Sequence, residues 1–402
     1  MPREHGRVAV VDGLRALALL TVVAAHLLIA SGVIARYAGT DEGVVIWMVL
    51  GNSIDVFFIL SGFVLFFPVV KRGGAFGSPV RFWIRRGARL LPPYWLVLAL
   101  CLVLLAFAPP EPSPGFPSIW SIAGHFTAIH QPALLFAHAD FVPGFGLVGP
   151  VWMISVIVAF YAVLPFIAGP FYRRPVVGLL TAAALTIVWK EAVVRISPEF
   201  WIDLSGGFPF APGIAIDQAP GWAFSFALGM AGARLYIWAR ERWSPERLAR
   251  TALLAAPAVI ACYLYGSWRY ARASLEVPGS IGTFARTEAL PTALGNASRA
   301  ALIGIVMIGP LWLQRPFANR LVGRLAGLSY GVYLIHFVLI VYLGYLLDLP
   351  RTGSLADVLL WTVLILPPSL VWASLSQRFV EIPARQRIDA ALGRAPQSSM
   401  RA

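Results

Sequence analysis

The stretch VDGLRALALLTVVAAHLL, beginning at residue 11, sets an aspartate, an arginine and a histidine inside an otherwise apolar run. A charged side chain in hydrocarbon costs roughly 2.5–3.5 kcal/mol on insertion scales, so such residues persist where they pair, line a polar cavity or perform chemistry. Arg15 and His26 lie eleven positions apart. In a helix that is a net turn of about 20° and a rise of roughly 16 Å, one face at two depths. Asp12, three residues before Arg15, falls on the same side. The spacing suits a ligand whose anionic end meets Arg15 while its reactive end reaches His26. Histidine fits the deeper position, because an unperturbed pKa of about 6.5 lets it accept and return a proton.

Other polar residues interrupt apolar runs in the same way. GNSIDVFFILSGFVLFF places Asp55 mid-segment with Asn52 on the same side. An unpaired carboxylate there is costly, so Asp55 is expected to face a cationic or donor partner inside the bundle, with His26 or Arg15 as the available candidates. In RFWIRRGARLLPPYW, Arg81, Arg85 and Arg89 recur every four residues with Arg86 beside them. That makes a cationic helix face, and guanidinium forks bind phosphate well. LSYGVYLIHFVL sets Tyr333 and His336 three apart; both are expected at the substrate, with Tyr330 and Tyr333 serving packing and hydrogen bonding rather than chemistry. The spacing of Gly323, Gly327 and Gly331 permits close helix approach. His125, His130 and His138 do not make a zinc pattern, and no metal is expected. There is no Walker loop, dinucleotide fingerprint or G-x-S-x-G elbow.

The elements that must carry these residues follow from composition. The chain is 58% hydrophobic and 13% charged, against about 25% charged in soluble domains. It reads as an all-α, polytopic membrane bundle. A span needs about 20 apolar residues, which places ten near 8–34, 44–70, 90–110, 151–170, 175–195, 220–240, 251–266, 297–314, 326–347 and 355–377. One transmembrane domain is expected over 1–389, with a disordered tail at 390–402. The first span, with Asp12 and Arg15 inside it, is not expected to be a cleaved signal peptide. Cys101 and Cys262 sit in apolar runs and form no disulfide framework. With ten spans, most of the Lys and Arg behind the net charge of +13 fall on the N-terminal side of the membrane, and none lies between 111 and 149. Both termini are therefore predicted to be cytoplasmic. Because the charge follows topology, nucleic acid is not an expected partner. The basic, aromatic segment 71–89 is expected on the cytoplasmic face, against anionic lipid or as one wall of an anion site. The segment 111–149 should form an external or re-entrant cap.

The blocks DGLRALALLTVVAAH, IDVFFILSGFVL, RFWIRRGARLLPPYW, GPVWMISVIVAFYAVLPF, LSYGVYLIHF and VEIPAR occur in that order over nearly the whole chain. Together they resemble the membrane acyltransferase-3 family, whose members O-acylate surface glycans, lipids, peptidoglycan or macrolides. The resemblance implies a multi-pass protein of a bacterial cytoplasmic membrane that moves an acyl group, often acetyl, from cytoplasmic acyl-CoA to a hydroxyl. It implies His26 as the catalytic residue, paired with Arg15. Asp12 and Asp55 would assist His26, Arg81, Arg85, Arg86 and Arg89 would join Arg15 on the coenzyme A phosphates, and Ser61, Trp152 and Ser155 would meet substrate. Family members usually carry W-S-L-S-V-E where this chain reads WMISVI, so Ile157 stands at the glutamate position and Met153 at a serine.

His26 reads as either a general base or a transient acyl carrier. Two rival readings use the same residues. A transporter or flippase would run a proton relay through Asp12, Asp55 and His26, although no inverted repeat of broken spans is evident. A catalytically silent acyl-CoA-binding homologue would follow from the absent glutamate.

Overall fold

Apolar segments long enough to cross a bilayer can satisfy their backbone there only as helices or a closed barrel, and this chain forms helices. The computed structural model describes residues 9–51, 53–110, 115–136, 142–205, 211–275 and 289–393, with no strand among them. Asn52, His138 and residues 394–402, to which some of the expectations above refer, lie outside the described residues. The main helices are α1 (Ala9–Ala30), α2 (Ser53–Lys71), α3 (Pro79–Phe107), α4 (Ile119–Phe126), α5 (His130–Phe136), α6 (Trp152–Arg173), α7 (Pro175–Arg195), α8 (Ala223–Arg242), α9 (Pro245–Leu275), α10 (Ala289–Ile308), α11 (Arg320–Leu346), α12 (Leu355–Ser376) and α13 (Ile382–Ala391).

Helices occupy all ten places at which spans were expected. Among the described residues, however, eight are long and apolar enough to cross a membrane. The two that fall short are α8, which carries Arg234, Arg240, Glu241 and Arg242, and α10, whose apolar stretch Ala293–Ile308 is short. Length and composition thus support a multi-pass membrane protein with eight candidate spans.

Local signals start the helices that matter for function. Ser78 caps α3 by accepting from the Arg81 amide at 3.3 Å, with Pro79 in the first turn. One unbroken helix thereby carries both the basic block and the apolar span beyond it. Asn319 caps α11 through the Val322 amide at 2.9 Å. Between α12 and α13 the chain passes through one π-helical turn, Gln377–Glu381. Such turns re-aim side chains and are frequent at functional sites.

Helix α8 packs along α2 backbone to backbone. A Cβ on Gly62 would collide with the Phe226 carbonyl, and one on Gly229 with the Ile59 carbonyl. Small residues allow such close approach where no hydrophobic force drives helices together in lipid. Gly229→Val is therefore expected to lower the thermal unfolding midpoint of the detergent-solubilised protein, overpacking costing typically 1–3 kcal/mol or more. Gly232→Ala is the control, since its Cβ would meet only the end of Phe63 at 3.9 Å; an equal loss in both variants would refute the packing argument. On α11 the glycine spacing is used only in part. Gly331 abuts Ala373 and Gly327 abuts Gln377, but Gly323 has nothing within 4 Å.

The segment that holds α4 and α5 packs against the middle of α3. The Tyr94 hydroxyl donates to the His125 carbonyl at 2.9 Å and the Trp95 indole to the Phe126 carbonyl at 2.8 Å. One end of the bundle gathers the start of α1, the start of α3, and α13.

Candidate active site

A cavity of about 330 Å³ opens within the bundle at the end that holds the start of α1. Its walls follow helical spacing. Asp12, Arg15, Leu19 and Val22 from α1, Phe57, Ser61 and Leu65 from α2, Arg86 and Arg89 from α3, and Gly323, Gly327, Tyr330 and Tyr333 from α11 each recur at three or four residues and so share a face. Ile157 and Tyr161 of α6 complete the wall. The π-helical turn supplies Gln377 and Glu381, and α13 supplies Arg385.

Four arginines thus face two carboxylates, Asp12 and Glu381. Arg15 Nε is buried without a hydrogen-bond partner, which is costly for a cationic group unless a ligand completes it. The arrangement suits an extended ligand with several anionic oxygens at one end. Away from the arginines the wall is formed by Leu19, Val22, Leu65 and Tyr333.

His26 lies one turn beyond Val22 on α1. It is partly exposed, yet it is not part of the arginine-lined wall. Its Nδ1 is 3.0 Å from Nε2 of His336, and the Phe337 ring presents to it edge-on at 5.2 Å. His336 is fully buried. Its Nδ1 lies 2.8 Å from the Tyr333 carbonyl and 3.1 Å from that of Val332. The Tyr333 hydroxyl donates to the Pro150 carbonyl and that of Tyr330 to the Leu90 carbonyl.

Asp55 departs from expectation. Its partner is neither His26 nor Arg15 but Arg299 of α10, with Nη1 at 3.2 Å from Oδ2. Ser225 of α8 donates to Asp55 Oδ1 at 2.9 Å, and Asn296 donates to Ser225 at 3.0 Å. Arg299 also donates to the Asn296 side-chain oxygen. Asp55 is not part of the cavity wall. The reason is helical phase: Asp55, Ile59 and Gly62 share the face of α2 that packs on α8, whereas Phe57, Ser61 and Leu65 share the face turned to the cavity.

The basic block divides as well. Arg86 and Arg89 reach the cavity, whereas Arg85 sits 3.5 Å from Asp389 and Arg81 is exposed. Ser61 lines the cavity. Trp152 and Ser155 do not; the Trp152 ring packs beside Trp222 with centroids 5.8 Å apart, and Ser155 donates to the Ala128 carbonyl of the cap. His336 stands behind His26 rather than at the cavity wall.

Arg385, Gln377, Tyr161 and Arg299 had no assigned role from sequence. Arg299 was findable, being a lone charge in the apolar run SRAALIGIVMI that needed a partner as much as Asp55 did. In the cap, His125 Nδ1 donates to the Ser121 carbonyl at 2.8 Å, and its Nε2 accepts from the Gly144 amide at 3.1 Å. Burial pushes its imidazole down to about 4, so the ring is neutral and pins the cap. His130 stacks on it at 4.4 Å. Among the described residues no group of three or more His, Cys, Asp or Glu is placed to hold a metal.

A family model described as an acyltransferase domain, that of the acyltransferase-3 family, matches residues 8–377. The chain is 23% identical to the peptidoglycan O-acetyltransferase OatA of Listeria monocytogenes, over 94% of this chain and 55% of that protein. It is 26% identical to the acyltransferase MdmB of Streptomyces mycarofaciens, over 95% of this chain and 93% of that protein. It therefore spans about half the length of the Listeria relative. No solved structure matches it.

Proposed function

Because this chain belongs to the acyltransferase-3 family, we propose that it transfers an acyl group, acetyl in the simplest case, from acyl-CoA to a hydroxyl of a glycan, lipid or macrolide-type acceptor. The observation that carries this reading is the cavity itself. Four guanidiniums outnumber two carboxylates at one end, Arg15 Nε is unpartnered, and Val22, the last residue of α1 in the wall, lies one turn short of His26. Coenzyme A has that polarity, with phosphates at one end and a thin arm ending in the thioester. In this assignment Arg15, Arg86, Arg89 and Arg385 hold the phosphates, and the arm passes Leu19, Val22 and Leu65 toward His26. The positive-inside rule favours a cytoplasmic arginine end, the side on which acyl-CoA is made. Arg81 and Arg85, off the cavity, are left to lipid headgroups and to Asp389.

In the transfer, the acceptor oxygen attacks the thioester carbonyl while His26 takes its proton. The C–S bond then breaks, and the thiolate leaves with that proton. The alternative order, through an acyl-imidazole on His26, gives the same products. Tyr333, hydrogen-bonded to the loop ahead of α6, stands in the wall away from the arginines and keeps water from the thioester.

Arg89→Ala is expected to weaken coenzyme A binding about tenfold or more, since a charge-assisted contact contributes roughly 1.5–3 kcal/mol. Arg81→Ala, remote from the cavity, should leave it unchanged. Isothermal titration of the purified protein with coenzyme A checks both, and equal affinities in native and Arg89→Ala protein would exclude this phosphate site.

A further inference from the structure

We infer that His336 is a positioning residue that holds His26 in the tautomer with a bare Nε2, which makes Nε2 the reacting atom. The argument runs along a chain of hydrogen bonds. Nδ1 of His336 lies 2.8 Å and 3.1 Å from two backbone carbonyls, those of Tyr333 and Val332. Carbonyl oxygens only accept, so this nitrogen carries a proton. A second proton would make the ring an imidazolium. Among the described residues no carboxylate pairs with either His336 or His26, and burying an unpaired charge is costly. The His336 ring is therefore neutral, and its Nε2 holds a lone pair.

That lone pair sits 3.0 Å from Nδ1 of His26. Two lone pairs do not face each other at hydrogen-bond distance, so His26 Nδ1 carries the proton and donates it to His336. The hydrogen bond made by one ring nitrogen sets the state of the other, and Nε2 of His26 is left unprotonated. A free imidazole side chain favours the opposite tautomer, with the proton on Nε2, so His336 selects the form in which Nε2, rather than Nδ1, can act as a base or nucleophile. The Phe337 edge at 5.2 Å limits rotation of the ring.

A carboxylate commonly orients a catalytic histidine. Here a neutral imidazole, itself anchored to backbone, takes that place. The glutamate position of the neighbouring family motif is Ile157 in this chain, an apolar residue of the cavity wall that offers His26 no carboxylate. When Nε2 takes the acceptor's proton, the resulting imidazolium still donates from Nδ1 to the His336 lone pair, now as a charge-assisted bond. The proton then leaves from Nε2 to the departing thiolate. His336 gains and loses no proton in the cycle. The catalytic meaning of this assignment rests on the acyl-transfer reading, whereas the tautomer itself rests on geometry.

The test uses the full-length protein labelled with ¹⁵N-histidine in lipid nanodiscs. The chain has 6 histidines, and single variants assign their resonances. Both His26 and His336 are expected to show protonated Nδ1 and bare Nε2. His336→Gln places an amide oxygen near the former Nε2 and should preserve the His26 pattern. His336→Asn keeps a polar group near the former Nδ1 but leaves His26 without its acceptor, so the His26 proton should move to Nε2. Unchanged spectra of the remaining histidines report that each variant is folded. In parallel, transfer from acetyl-labelled acetyl-CoA into membrane and envelope extracts should fall about 100-fold in kcat for His336→Asn, with KM for acetyl-CoA unchanged, and largely persist in His336→Gln.

A native His26 protonated at Nε2 overturns the inference. So does an Asn variant with native kcat. Failure of the acyl-transfer reading shows differently: the native protein itself would transfer no label from acetyl-CoA, which removes the catalytic role even with the expected tautomer.

Discussion

His26→Ala is expected to lower acyl transfer by about 10³-fold or more, with coenzyme A still binding at native affinity. General acid–base catalysis by a positioned side chain contributes about 10²–10⁴-fold, and loss of a covalent acyl carrier would be at least as severe. The separation from binding follows from depth. Arg15 lies eleven residues before His26 on α1, roughly 16 Å along the axis, so truncating the histidine leaves the arginine end intact. The measurement is mass spectrometry of lipid, glycan and metabolite extracts from cells expressing native or variant protein at matched levels. Loss of one acyl increment from one compound class names the acceptor. Unchanged masses with a shifted distribution across the membrane would replace the enzyme by a transporter. Identical extracts from native, variant and vector-only cells would replace it by a silent acyl-CoA-binding protein.

How much of this was legible in the sequence depends on whether a residue acts within one helix or between helices. Asp12 and Arg15 share a face because of spacing alone, and both line the cavity. Ser61 and Arg86, which also line it, were offered by the family resemblance rather than by spacing, and the every-fourth-residue face of Arg81, Arg85 and Arg89 divides, with only Arg89 at the cavity. Arg385, Gln377 and Glu381 reach the cavity through the π-helical turn at Gln377–Glu381, and no residue pattern there announces one extra residue per turn. The His26–His336 contact joins positions 310 apart, and the Asp55–Arg299 contact joins positions 244 apart. Burial cost correctly demanded a partner for Asp55. The choice of His26 or Arg15 failed because it favoured polar residues already singled out on α1 over the one lying across the bundle. Hydropathy likewise located ten helices but not which of them are apolar enough to span, because α8 is free of charge up to Ala233 and carries Arg234, Arg240, Glu241 and Arg242 in its second half.

Asp55→Ala and Arg299→Ala are each expected to lower the stability of the bundle by roughly 3–5 kcal/mol, the range for stripping a buried charge of its partner. The Arg299 side chain is 4% exposed and that of Asp55 16%, so water does little to rescue the survivor. The pair is also a clamp. Asp55 begins α2, Ser225 lies on α8, and Asn296 and Arg299 lie on α10. Loosening it frees the start of the helix whose opposite face carries Phe57 and Ser61 into the cavity, so weaker coenzyme A binding is expected to accompany the lost stability. Outside the spans, burial pushes the Asp217 carboxyl up to about 7, Lys190 opposes this, and the Asp55 charge adds to it. Removing that charge therefore lowers the Asp217 titration. The single variants also differ in sign from a double replacement by residues of similar volume, Asp55→Leu with Arg299→Met. With both charges gone nothing is left unpaired, and apolar replacements of buried ion pairs are often neutral or stabilising. The double variant is thus expected to unfold near the native temperature, well above either single one. The exposed pair Arg195–Glu191, at 3.5 Å and 81% and 45% exposed, supplies the contrast, since Arg195→Ala should change stability by less than about 1 kcal/mol. Thermal unfolding of the four variants and the native protein in one detergent decides the matter, and a double variant no more stable than the singles would mean that the charges themselves, not their pairing, hold α2, α8 and α10 together.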